Sequence, residues 1–103
     1  MVIASVSFRA QPHKRSEVLS AIDDTADRMR RAPGCQRCRL FVDNEDANAF
    51  ILASEWQSMP EAEAFIASRE FQVLKGMRIL LREEPAMVFD EVRSRVTRVI
   101  HAR

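Results

Sequence analysis

Ala49-Phe50-Ile51-Leu52-Ala53-Ser54-Glu55-Trp56 is apolar on both sides when read with a period of two. Phe50, Leu52 and Trp56 fall on one face, and Ile51 and Ala53 on the other. A strand over 49–57 that is apolar on both faces needs a cover on each side. In a chain of 103 residues, one domain with one core, its own helices supply the first cover. A second copy of the chain is the expected second cover.

Toward the N-terminus, Asp43-Asn44-Glu45-Asp46-Ala47-Asn48 is polar and turn-rich, so residues 35–43 and 49–57 form an antiparallel hairpin. Pro33-Gly34 ends a helix over 13–32, whose apolar positions Val18, Leu19, Ile22, Ala26 and Met29 have helical spacing. Asp24/Arg28 and Asp27/Arg31 stand four apart on its outer face, acid first, and read as weak exposed pairs. Pro12 suits that helix's first turn. Before it, Val2, Ala4, Val6 and Phe8 alternate with Ser5, Ser7 and Arg9 as a half-buried strand.

Toward the C-terminus, Ser58-Met59-Pro60-Glu61 is a capping box. Ala62, Phe65 and Ile66, then Phe71, Leu74, Met77, Leu80 and Leu81, continue as a second helical stretch with a kink near Ser68-Arg69. Pro85 closes it, and residues 86–93 form a fourth strand. The order β-α-β-β-α-β with right-handed crossovers predicts an α+β, ferredoxin-like fold. Its four-stranded antiparallel sheet carries helices on one face and pairs sheet to sheet with a copy in a homodimer. Residues 1–93 are the domain. The tail 94–103 is either a strand reaching the partner or a frayed end.

Sixteen Lys and Arg against fifteen Asp and Glu give a net charge of +1, too little to draw in nucleic acid or an anionic membrane. The arginines 28, 30, 31, 37 and 39 cluster, but the central strands lack the paired aromatics of an RNA-binding sheet. No apolar run approaches a membrane span, and a cytoplasmic location is expected. Only His13 and His101, no tyrosine, and only Gly34 and Gly76 are present. A nucleophile–base system, a phosphate loop and a dinucleotide fingerprint are therefore not expected. Cys35-Gln36-Arg37-Cys38 has C-x-x-C spacing, but on a regular strand positions three apart face opposite ways. The two sulfurs are then structural and hold no metal.

Trp56 is a flat surface with one N–H donor, suited to an aromatic ligand, although on the residue alone a core tryptophan plugging the sheet–helix gap is the favoured reading. The stretch from Glu55-Trp56-Gln57-Ser58 to Ser68-Arg69-Glu70-Phe71, with the Gly34-Cys35 strand start and the Pro85 to Val92 ending, resembles the antibiotic biosynthesis monooxygenase family. The resemblance spans about residues 2–93. It implies a dimeric α+β protein that oxidises a quinol or related aromatic with O₂ and no bound cofactor. An apolar pocket between sheet and second helix would stabilise the substrate anion. On this reading Trp56 and Arg69 are catalytic, Trp56 donating to a substrate oxygen and Arg69 steadying an anion. Ser7, Arg39, Leu52, Phe65, Phe71 and Leu74 bind the substrate. Many relatives carry a His where this chain has Phe65. By alignment, Val6, Phe65 and Lys75 stand where the haem-degrading branch has its Asn, Trp and axial His, so haem is not expected. A non-catalytic binding or structural dimer of the same fold is the competing expectation, favoured if the core around Trp56 is sealed.

Overall fold

The alternation in the first nine residues builds β1 (Val2–Arg9), the strand on which the rest of the sheet is laid. In the computed structural model, which describes residues 1–101, α1 (Arg15–Arg30), β2 (Cys35–Val42), β3 (Ala49–Trp56), α2 (Met59–Ile66) and α3 (Arg69–Gln72) follow. A 3₁₀ helix (Val73–Leu80) and β4 (Ala86–Glu91) complete the order. The four strands form one antiparallel sheet in the order β2-β3-β1-β4, the expected ferredoxin-like arrangement. No helix among the described residues is long and apolar enough to cross a membrane.

Register separates the two faces. Val6 stands opposite Leu52 and Phe8 opposite Phe50, and these point toward the helices. There they meet Val18, Ile22, Ala26 and Met29 of α1 in a single buried core. Ser5 opposite Ala53, and Ser7 opposite Ile51, point the other way. On that open face Phe41 stays 48% exposed, Ile51 45% and Val88 53%.

Local chemistry sets the helix boundaries. Lys14 N–H donates to the Gln11 carbonyl (3.0 Å) while His13 takes a φ of +68°, as in a turn with Pro at its second position and a left-handed third. Pro12 therefore sits in a turn before α1 rather than in its first turn. Asp27 pairs with Arg30 at 2.8 Å, three residues on, instead of with Arg31. Asp24 and Arg28 form no ion pair among the described residues. The first half of the capping box forms as expected, Glu61 N–H donating to Ser58 Oγ (3.4 Å), but the Glu61 carboxylate accepts from the Ser58 hydroxyl (3.0 Å) rather than from its backbone N–H. Ser68, whose Oγ accepts from Phe71 N–H, starts α3 and breaks the second helical stretch where the kink was expected.

One irregularity changes which way side chains point. Cys35 pairs with Trp56 and Arg37 with Glu55, so Gln36 is the extra residue of a β-bulge. The bulge shifts the strand's phase by one, and Cys38 then lies opposite Ser54. Both cysteines consequently pack on the helix side. The expectation that they face opposite ways fails because it assumed an unbroken period of two.

Residues 94–101 form no strand, and positions 102 and 103 of the tail lie outside the described residues. Arg95 reaches Glu55 on the open face at 3.0 Å, while Val96, Val99 and Ile100 stand exposed.

Candidate functional site

The aromatic side chains between the sheet and α2 form a stack. Trp56 is fully buried, its ring 5.8 Å from Phe65, which meets Phe71 edge-on at 6.2 Å. The indole N–H donates to Ser54 Oγ at 2.8 Å, and the Ser54 hydroxyl donates to the Ala4 carbonyl at 3.2 Å. That chain leaves the indole no free donor, so in this structure it is not offered to a ligand oxygen. Leu52 and Leu74 are buried in the same core. Trp56 lines none of the three depressions described below.

The opening lies on the far side of Phe65. A groove of about 620 Å³ runs between the end of α1 and the α2–α3 elbow. Phe65, Ala64, Ala32 and Pro33 supply its apolar lining, and Arg28, Arg31, Glu61, Ser68 and Glu70 its polar groups. Its volume is that of a site for a small organic molecule. Arg28 and Arg31 have no carboxylate within salt-bridge distance among the described residues; Asp27, the partner expected for Arg31, is taken by Arg30. Arg31 also follows the last turn of α1, where a cation offsets the helix dipole. Two guanidiniums therefore border an aromatic floor with their donors available to an anion.

Glu61 is held in place from two directions. Ser58 hydrogen-bonds its carboxylate, and Gly34 (φ +84°) gives it room, since a Cβ at position 34 would run into that carboxylate. The backbone angle calls for glycine there, and any Cβ would displace the Glu61 carboxylate from its place.

The residues expected to share one site are divided by the sheet. Phe65 lines the groove, with Trp56 and Phe71 behind it. Arg69 is exposed between Ser68 and Glu70, which both line the groove. Ser7 and Arg39 are on the opposite, open face. There Ser7 borders a depression of about 370 Å³ with Phe41 and Ile51, and Arg39 a shallow one of about 120 Å³. A single protomer cannot bring them to a ligand that touches Phe65. Conversely, Arg28, Arg31, Glu61 and Ser68 were not picked out as site residues. The available signal was three arginines, 28, 30 and 31, against the two aspartates Asp24 and Asp27 within reach on the helix face.

Of the two thiols, Cys38 is buried with its sulfur 3.5 Å from Met29 Sδ, and burial pushes it up to about 11. Cys35, half-buried, is raised by the same cause. No group of three or more His, Cys, Asp or Glu side chains that could hold a metal occurs among the described residues.

The architecture is shared with solved structures at low sequence identity. An antibiotic biosynthesis monooxygenase structure superposes with a TM-score of 0.82 at 20% identity, over 91% of this chain and 100% of that one. A Deinococcus radiodurans protein classed provisionally with the same enzymes reaches 0.89 at 15% identity, over 96% and 99%. Rv0793 from Mycobacterium tuberculosis reaches 0.84 at 16%, over 93% and 98%. No curated protein matches the chain in sequence. The sequence profile of antibiotic biosynthesis monooxygenases does match it, over residues 1–76. With about three quarters of its length in that profile and the fold to go with it, the chain belongs to the antibiotic biosynthesis monooxygenase family.

Proposed function

We propose that this protein is a cofactor-independent monooxygenase that oxidises a quinol or related aromatic with O₂ in the groove between α1 and α2. The observation that carries the reading is the pairing of an aromatic floor, Phe65, with two guanidiniums, Arg28 and Arg31, that lack an internal partner. A phenol is a weak acid, and two adjacent cations favour its anion. Glu61, fixed by Ser58, is placed to accept the phenol proton. The electron-rich anion then reduces O₂ itself. The balance is quinol plus O₂ giving hydroxyquinone plus water: one oxygen enters the ring, the other leaves as water, and the substrate supplies all four electrons. Arg69 adds a third cation at the rim. Trp56 and Phe71 act as positioning residues that hold the plane of Phe65, and Leu52 and Leu74 back them.

In the same reading the open face is the dimer face. Phe41 and Ile51 are neighbours on β2 and β3, Val88 stands on β4 beyond Ser5 of β1, and a second copy removes all three from water. Ser7 and Arg39 belong to that interface, and the exposed valines and Ile100 of the tail lie against the partner.

The sealed Trp56 favours a second reading, a non-catalytic dimer that binds an aromatic anion in the same groove. Oxygen uptake in chelator-treated buffer with a panel of quinols separates the two. Heat-denatured protein serves as the control for autoxidation. The enzyme reading predicts uptake above that control, reduced about a hundredfold in Arg28→Gln/Arg31→Gln. Uptake equal to the control, with quinol binding retained in equilibrium dialysis, replaces it with the binding reading.

A further inference from the structure

We infer that Cys35, Cys38 and Met29 form a binding site for one soft monovalent cation of the Cu(I) class. The bulge at Gln36 is what creates it. Without the extra residue the two thiols would lie on opposite faces, and with it they occupy neighbouring positions on the helix side, opposite Trp56 and Ser54. Two such positions are about 6–7 Å apart along a strand. That is a separation of Cα atoms, from which two side chains turned toward each other can bring their sulfurs to the about 4 Å that metal bonds of about 2.3 Å require; the Cys35 thiol now donates to the Arg37 carbonyl at 3.6 Å and gives up that bond on binding. Met29, from the last turn of α1, brings its thioether to 3.5 Å from Cys38 Sγ.

The donor set selects the cation. Two thiols and a thioether, with no imidazole or carboxylate among them, prefer Cu(I) and Ag(I) to Mg²⁺, Ca²⁺ or Mn²⁺. Access is provided because Cys35 is only half-buried, whereas Cys38 and Met29 are enclosed. Charge is also accommodated. Binding is a proton exchange in which M⁺ and two thiols give a dithiolate complex of charge −1 and two protons. Arg30 stands beside the site, its Nε donating to the Cys38 carbonyl at 3.2 Å, and its cation offsets that charge. Asp27, which pairs with Arg30, and Glu55 are the nearby anions.

Trp56 is the only tryptophan and lies directly across from Cys35, so its emission reports on the site. The test is an anaerobic titration of the reduced full-length protein with Ag(I), followed by Cu(I) against a chromophoric Cu(I) chelator. The expected result is one equivalent bound per chain, release of two protons, and quenching of Trp56. Cys35→Ser weakens binding about a hundredfold by removing the chelate. Met29→Leu, which keeps the core filled, weakens it about tenfold. Thermal transitions of both variants confirm that they fold, and Cys35→Ala replaces Cys35→Ser if the latter does not. Equal affinity in wild type and the Cys35 variant overturns the site. So does release of fewer than two protons, or a Met29→Leu protein that binds as tightly as wild type.

Discussion

The two faces of the sheet are made from alternate residues of the same four strands, yet they end in different states. On the helix side Trp56, Phe50 and Leu52 are at most 1% exposed, and their polar neighbour Ser54 is satisfied by Trp56 and Ala4. On the open side Phe41, Ile51 and Val88 keep about half of their surface in water. The strands are equally apolar on both sides only in β3. There the helices cover Phe50, Leu52 and Trp56, while Ile51 stays 45% exposed among the described residues. The difference teaches that burial among the described residues is complete on one side and leaves apolar side chains in water on the other, which is the ground for the proposed dimer face. The described groove likewise lies at the margin of the closed side, where α1 and α2 part, rather than inside it.

The largest effect that sharpens this contrast comes from Trp56→Ala. Removing a fully buried aromatic ring destabilises the fold by about 3–5 kcal/mol. Urea unfolding measures it, and a loss below about 1 kcal/mol would mean that the core is not closed around the indole. Ile51→Arg gives the opposite pattern. It leaves the protomer's fold intact by circular dichroism, but puts a charge in the shared face, so the sedimenting mass falls to that of one chain. Arg28→Gln/Arg31→Gln changes stability by no more than about 0.5 kcal/mol, because neither side chain is committed to an internal partner, while the proposed quinol turnover falls about a hundredfold.

The smallest effect is a pH dependence. Cys38 is neutral in the folded state up to about 11, against an ordinary value of 9.0. Between those values the unfolded chain loses the thiol proton and the folded chain keeps it. Stability is therefore fully present below pH 9 and declines as pH rises to about 11. Cys38→Ala removes that component of the slope in a series of urea curves.

Much of the fold is legible in the residues themselves. Strict alternation in Val2 to Phe8, Pro33-Gly34 after α1, and Ser58 to Glu61 before α2 each have one local solution, and the structure adopts it. The bulge at Gln36 is not legible, since an inserted strand residue alters phase without a composition signal, and the pairing of β2 with β3 reveals it. Pro12 illustrates a different loss: Pro fits both a helix start and a turn, and the choice rests on His13 taking a positive φ.

The candidate site is less legible than the fold. Phe65 stands out as the aromatic on an apolar helix face, but Arg28 and Arg31 looked paired, and only the geometry shows Asp27 turned to Arg30. Ser7 and Arg39 were grouped with Phe65 because a linear sequence does not say which side of the sheet a cavity occupies.

The mass of the wild-type protein in solution tests the two-sided account most directly. Light scattering at micromolar concentration should give twice the 11.8 kDa of one chain. A mass of 11.8 kDa, with Phe41, Ile51 and Val88 left in water, would contradict it.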